Sequence, residues 1–586
     1  GSEYLRMYEE AWVNDGNTGT PTLPGTNVSW EEAQNINTDW VDQTIRTGFK
    51  QKYDFGVSNG KEKYNWYTGV SYQNDNSYLA GNSYNRINGR FNLDYRFNEK
   101  WEASLSTSLA VANNNRIDAA WSGGLGSAMS TALPIYPIYW DKDTIDKFGN
   151  PHQKGDYWQL AGTGNNPVAQ RELKDWTDRE IRTINNFSVT YKPGKNTFIK
   201  AFGGLDYMDF TGDVYEKPGF DLSNVDTAGG QLGRAFLSKR EIYSTNVNLT
   251  ATHLWDLNEN SHFTFLVGTE YQYNKVNNFG TKSNNAAFAP ISESGVYERN
   301  DLNTPDQWAF ASVFGRVNYN FKGKYFAEAL FRTDGSSKFG ENYKYGLFPA
   351  ISAGWVVSNE DFLKYNPTIS FLKVKASYGI NGNSNIPNGR TYNTYRISNT
   401  GYNNEPYIYP DLRNNPNLRW ETSNTFDIAL EYGLFGDRIT GEFAYYYKTT
   451  NDMLLEVTLQ KANGFDKWWD NVGSVYNTGL ELSINTRNLV GNFKWETNFN
   501  ISRNYNEVTS IGSYTEDAVG GGTNDTRVVV GSPIGTNYLV KYVGVDPENG
   551  RPVYLDKEGN ETYDWDPNNR VVTGSVLPDA IGGITN

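Results

Sequence analysis

Along almost the whole chain, stretches of about nine to twelve residues alternate one apolar face with one polar face. From 91 the apolar series is Phe91, Leu93, Tyr95 and Phe97, set against Asn92, Asp94, Arg96 and Asn98. From 243 it is Tyr243, Val247, Leu249 and Ala251, set against Ser244, Asn246, Asn248 and Thr250. From 426 it is Phe426, Ile428, Leu430, Tyr432 and Leu434, set against Asp427 and Glu431. Successive side chains of a strand point to opposite faces, so each stretch reads as a two-faced strand. About ten residues is what a tilted strand needs to cross a bilayer, and it exceeds the five or six usual in globular sheets. The expected fold is all-β, a large antiparallel transmembrane β-barrel of the outer-membrane kind.

Composition supports that reading over a soluble one. The 586 residues include 41 Tyr, 30 Phe and 17 Trp, yet the mean hydropathy is -0.66. A barrel reconciles the two, because a lipid band with aromatic girdles is balanced by a polar lumen and polar loops. A large secreted β-sandwich or propeller ranks second, since its strands are shorter and a propeller repeats at a constant period. No run approaches 18 apolar residues, so no membrane-spanning helix is expected. The absence of Cys removes disulfides and thiolate sites. A net charge of -14 argues against nucleic-acid binding, which needs clustered Lys and Arg.

The alternation marks about sixteen strands. They lie near 51–58, 63–73, 87–98, 100–112, 184–192, 197–209, 241–254, 261–275, 308–321, 324–333, 347–357, 370–379, 423–434, 438–448, 478–487 and 493–503. Joins such as Asn98-Glu99-Lys100, Phe321-Lys322-Gly323-Lys324 and Phe435-Gly436-Asp437 are tight turns, with Gly or Asn expected at positive φ. They alternate with long connections at 113–183, 210–240, 276–307, 334–346, 380–422, 449–477 and 504–535. Short turns at one end and long loops at the other mark outer-membrane barrels, with the loops extracellular. Ahead of the strands, 4–12 reads as a short amphipathic helix and 39–45 as a helical turn.

The stretches Arg332-Thr333-Asp334-Gly335-Ser336-Ser337-Lys338-Phe339-Gly340, Phe348-Pro349-Ala350-Ile351-Ser352-Ala353-Gly354-Trp355 and Asn415-Pro416-Asn417-Leu418-Arg419-Trp420-Glu421 stand out as motifs. They resemble the barrel of SusC-like (RagA-like) TonB-dependent outer-membrane transporters of Bacteroidetes. Asn471-Val472-Gly473-Ser474-Val475-Tyr476-Asn477-Thr478-Gly479-Leu480-Glu481 is similar to a further signature, and the order agrees from about 30 to 586. The resemblance implies a barrel of about 22 strands, of which 1–586 is a part, with an N-terminal plug and the final strands expected outside this chain. It also implies TonB-dependent import of glycan oligosaccharides or peptides, with a SusD-like surface lipoprotein as cap and TonB engaged through the missing N-terminal segment. No covalent chemistry and no cofactor are expected. A β-rich cell-surface binding protein or adhesin is the alternative, and a glycoside hydrolase ranks third. Within the signatures, Gly335 and Gly340 read as turn residues, Trp355 and Trp420 as interfacial anchors, and Arg332 and Glu328 as lumen ion pairs.

Candidate binding residues come from the long loops. Trp468, Trp469 and Asp470 form one set; Tyr407, Tyr409 and Asp411 form another. Aromatic faces stack on sugar rings or peptide side chains while carboxylates fix hydroxyls or amides. Membership of the membrane girdle or packing of loop against loop is the competing reading, and for the two tryptophans the alternatives weigh equally. His152, His253 and His262 lack metal-ligand spacing, and no catalytic motif is present. Asp546-Pro547-Glu548-Asn549-Gly550 reads as a turn before it reads as a calcium loop.

Overall fold

A computed structural model describes residues 1–23, 28–118, 125, 129, 132–145, 151–158, 166–220, 232–283, 298–299, 306–398, 405–460, 462, 464–465, 467–519 and 526–586. The fold is all-β and built on a large antiparallel sheet. The chain divides into two compact units. The first comprises Gly1–Val189, Phe202–Thr245 and Asn274–Gln307; the second comprises Thr190–Ala201, Asn246–Tyr273 and Trp308–Asn586.

Each of the sixteen alternating stretches is a strand, and most run further than their pattern. In the first unit Phe49–Lys61, Tyr64–Asn76, Ser83–Arg96 and Trp101–Asn115 form an antiparallel meander in continuous register. In the second unit Asp306–Phe321, Tyr325–Ser336, Ala350–Val356, Ile369–Asn383, Glu421–Leu434, Ile439–Asn451, Ser474–Val490 and Lys494–Ser510 pair in the same way, each with the next. The short strand Ile581–Thr585 follows against Lys494–Ser510. Its sequence Ile-Gly-Gly-Ile-Thr is too short to display a period, and the alternation rule passes over it.

Lys174–Gly194, Arg234–Asn258 and Ser261–Ser283 have 21, 25 and 23 residues, about twice what a membrane crossing needs. Their outer parts break the alternation, as in the consecutive apolar Ala235, Phe236 and Leu237, which hid them among the long connections. The connections also contain small sheets, such as Tyr395–Ser398 with Tyr407–Pro410.

The tight turns form where expected, but their left-handed backbone is not confined to Gly. Lys322 joins Gly323 at positive φ (55° and 64°), and Phe435 and Asp437 flank Gly436 at 54° and 62°. Phe321 pairs with Tyr325 and Leu434 with Ile439, so the loops are three and four residues long, and closing them takes non-glycine residues into the left-handed region as well.

The burial of the faces is opposite to that of a soluble sheet. Ile428, Leu430, Phe443, Tyr445, Leu480 and Ile501 are exposed large apolar residues on one face. Asp427, Glu431 and Glu442 occupy the other and are half-buried. There Lys375 joins Glu431 and Glu442 at 2.7 and 2.8 Å. Arg332 joins Glu270 and Asp334 at 3.1 and 2.8 Å, so its ion-pair partners are these residues. Phe91 and Leu93 are only partly exposed and Asp94 is exposed, so the sorting is cleaner in the second unit.

An aromatic ladder crosses the exposed face of the second unit near the tight turns. Trp255, Phe263, Tyr319, Phe321, Tyr325 and Trp355 follow one another with ring centroids 4.6–6.4 Å apart. Glu360, in the next turn, accepts hydrogen bonds from the Tyr325 hydroxyl, Lys324 and the Trp355 indole. Those donors, Tyr325 foremost, hold its carboxyl down to about 2. Trp355 thus stands exposed at the strand end, held by Tyr325 and Glu360.

Trp420 is not an interfacial anchor. It is buried with Phe339, Phe348, Ile386, Leu418 and Leu454, and its indole N–H donates to the Lys344 carbonyl. Gly340 lies so close to this core that an added Cβ would sit 1.9 Å from the Pro416 carbonyl oxygen. Close backbone approach, rather than a positive-φ turn, demands glycine there. Gly335 likewise lies inside a strand, where a Cβ would meet the Tyr345 ring at 2.5 Å.

Both expected helices form. Ser2–Asn14 is helical, and Trp40–Thr44 starts at Asp39, whose carboxylate accepts from the Asp42 N–H. They pack in a core of the first unit with Ile135, Tyr136, Trp140 and Trp158. No helix among the described residues is long and apolar enough to cross a membrane.

Candidate functional site

The two loop sets singled out from the sequence lie on two separate small sheets, joined along the chain through Asp411 and Leu412. Lys467–Asn471 lies between Leu412–Arg413, in parallel, and Leu454–Thr458, antiparallel. Asp411 is the residue before that pairing. Its backbone N–H donates to the Thr394 carbonyl at 2.9 Å, which ties it to the Tyr395–Ser398 hairpin. Tyr407 and Tyr409 lie on the second strand of that hairpin with ring centroids 5.4 Å apart.

Alternation along Lys467–Asn471 sends the two indoles into different cores. Trp468 packs with Val457, Val472, Val475, Val508 and Ile511. Trp469 packs against the Phe339, Leu418 and Trp420 core. Both are half-buried, so loop packing accounts for much of their apolar area. The Trp469 indole nitrogen is buried without a hydrogen-bond partner among the described residues.

Polar groups lock this sheet to a third loop. The Trp468 indole donates to the Tyr514 oxygen at 3.1 Å, and the Tyr514 hydroxyl donates to Asp470 at 2.8 Å. Asn415 donates to the other Asp470 oxygen at 2.8 Å and to the Trp469 carbonyl at 3.0 Å. The Arg413 guanidinium lies 5.2 Å over the Trp468 ring. Burial and the Asp470 carboxylate raise the Tyr514 hydroxyl to about 12. Tyr514, Arg413 and Asn415 were not among the sequence candidates; only Asn415 lay in a recognisable motif. The surface left to solvent comes from Tyr392, Tyr395, Tyr407 and Ile408, all exposed.

A second polar site lies on the charged face of the second unit. A cavity of about 510 Å³ is lined by His262, Glu328, Lys373, Lys375, Ser377 and Asp427 among others. Donors and acceptors of both signs line one wall, which suits hydrated or zwitterionic groups better than apolar ones. Among the described residues no three His, Asp or Glu side chains gather closely enough to hold a metal ion. The Asp546 turn forms as expected: its carboxylate accepts from the Glu548 N–H, Asn549 and Tyr563.

Comparison with known proteins bears on this architecture. A family described as TonB dependent receptor-like, beta-barrel matches residues 138–577. TonB-dependent receptor P26 of Formosa agariphila is 32% identical over 94% of this chain and 56% of its own length. TonB-dependent receptor SusC of Bacteroides thetaiotaomicron is 27% identical over 90% of this chain and 55% of its own length. The chain thus spans about half the length of the curated relatives it matches. Among solved structures, the RagAB peptide transporter superposes with a TM-score of 0.81 at 22% identity, covering 94% of this chain and 61% of that one.

Proposed function

Because the chain belongs to the TonB dependent receptor-like β-barrel family, we propose that it is membrane-crossing wall of an importer of the SusC and RagA type. In this reading it sits in the outer membrane as a multi-pass β-barrel and admits oligomeric nutrients. The observation that carries the reading is the reversal of faces: exposed apolar side chains with an aromatic ladder on one side, ion pairs on the other. A soluble sheet buries its apolar face, and an adhesin has no use for a charged interior wall. The chemistry is gated passage, with no covalent step.

Cargo is a glycan oligosaccharide or a peptide. A SusD-like surface lipoprotein caps the wall, and energy arrives through TonB. The two loop sheets are the cap- or cargo-facing surface, comprising Trp468, Trp469, Asp470, Tyr407, Tyr409 and Asp411. Tyr407 and its exposed neighbours supply contact area, while the packed tryptophans and Asp470 hold that area rigid. Uptake of labelled oligosaccharide and peptide libraries by cells carrying the full-length protein tests this. Accumulation that collapses with a protonophore or with loss of TonB is expected. Surface binding without energy-dependent uptake would favour the adhesin reading.

A further inference from the structure

The exposed face of the second unit is interrupted by a groove. On Arg234–Asn258, Ser261–Ser283, Asp306–Phe321 and Tyr325–Ser336, the odd-numbered residues from Val247 through Val267 and Val317 to Phe331 point to that face. Small residues fall together among them. Gly315 stands opposite Phe331, and Val317 opposite Ala329, so each cross-strand pair joins a small residue to a large one. With Ala251 they floor a groove of about 490 Å³, walled by Phe265, Val267 and Phe331.

The ends of the groove differ. Thr197 and His253 close one end, with the Thr197 oxygen 2.9 Å from His253 Nδ1. That end faces the tight turns and the aromatic ladder that begins at Trp255. Tyr319 in the ladder and Gly315 in the groove floor are about 13 Å apart along the strand, at about 3.3 Å per residue. A groove starting at an aromatic girdle and running into the apolar band has the polarity of a lipid: oxygens at the girdle, methylenes beyond it.

We propose that this groove seats one acyl chain of a phospholipid, its ester oxygens at Thr197 and His253. The inference rests on the outer-membrane reading above. The occupant is a lipid because the groove is continuous with the face that reading places against the bilayer. It is a phospholipid rather than the lipid A part of lipopolysaccharide because tight turns mark the periplasmic end. Exposed Lys322, over the Phe321 ring at 5.2 Å, puts a cation in the tight turn beyond the ladder.

Gly315 gives a clean probe. A Cβ there meets only the Leu266 carbonyl oxygen, at 3.6 Å, so a side chain at 315 extends into the groove without displacing backbone. The full-length protein is placed in bilayers with phosphatidylethanolamine bearing a photoreactive group on one acyl chain, and cross-linked peptides are mapped. Peptides spanning 313–317 and 329–331 should label more strongly than those around Leu480 and Ile501. Gly315→Leu and Ala329→Phe should each cut that excess about tenfold, the change expected when about two methylenes leave the groove. Uniform labelling of the exposed face or an excess unchanged in both variants would overturn the groove, and an excess seen only with a lipid A probe would overturn its phospholipid occupant. Absent labelling at Leu480 and Ile501 as well would instead overturn the membrane reading.

Discussion

At the residue scale, Tyr514 shows how a loop becomes rigid. Its oxygen accepts from Trp468 while its hydroxyl donates to Asp470, so one atom ties an indole to a carboxylate at the edge of one core. Tyr514→Phe leaves both partners half-buried and short of a hydrogen bond, which should cost about 1–3 kcal/mol. The raised tyrosine sets the pH window. A group whose folded pKa lies above its unfolded value, about 10 for tyrosine, contributes fully below that value. The contribution is lost as pH rises through the folded value of about 12. The difference in thermal midpoint between wild type and Tyr514→Phe should therefore stay constant to about pH 10 and shrink toward pH 12. A gap that does not depend on pH in this window would mean the hydroxyl acts through packing alone.

At the element scale, the strands were legible because a membrane sheet must keep strict two-faced alternation over a bilayer's depth. The stretch from Phe426 to Leu434 shows the signal at its strongest. A polar side chain at any alternate position there would meet lipid. Leu430→Arg should cost about 2–4 kcal/mol if the position lies near mid-bilayer, read from unfolding in liposomes. A cost under about 1 kcal/mol would place Leu430 at an interface. Outside the bilayer that constraint lapses. The outer halves of Arg234–Asn258 and Ser261–Ser283 mix buried residues such as Ala235 and Val276 with polar ones, so their sequence lost its period and read as loop. The candidate site was legible only in part for a related reason. Trp468 and Asp470 stood out by type, yet Tyr514 is 44 residues beyond Asp470 and only tertiary contact joins them. Trp420 misled because an aromatic near a strand end is as consistent with a buried plug of loop core as with an interfacial anchor.

At the scale of the whole chain, the open question of orientation has a direct test. In the second unit, the Lys322-Gly323 turn and the twelve-residue join after Val356 lie at one end of the strands; the long connections that hold Tyr407 and Trp468 lie at the other. Outer-membrane barrels carry short turns on the periplasmic side and long loops on the outside. The chain has no Cys, so any introduced thiol is the sole target of a maleimide. Lys322 and Gly323 are poor positions for one, since both hold positive φ. Trp468 is half-buried and also unsuitable. Tyr365, 86% exposed in a turn, and Ile408, 69% exposed in the loop hairpin, suit the purpose. With the full-length protein on intact cells, a membrane-impermeant maleimide should label Ile408→Cys at once. Tyr365→Cys should react only after the outer membrane is permeabilised. Labelling of Tyr365→Cys on intact cells, with Ile408→Cys protected, would turn the protein over in the membrane. It would also move the lipid groove to the outer leaflet, where lipid A becomes its occupant.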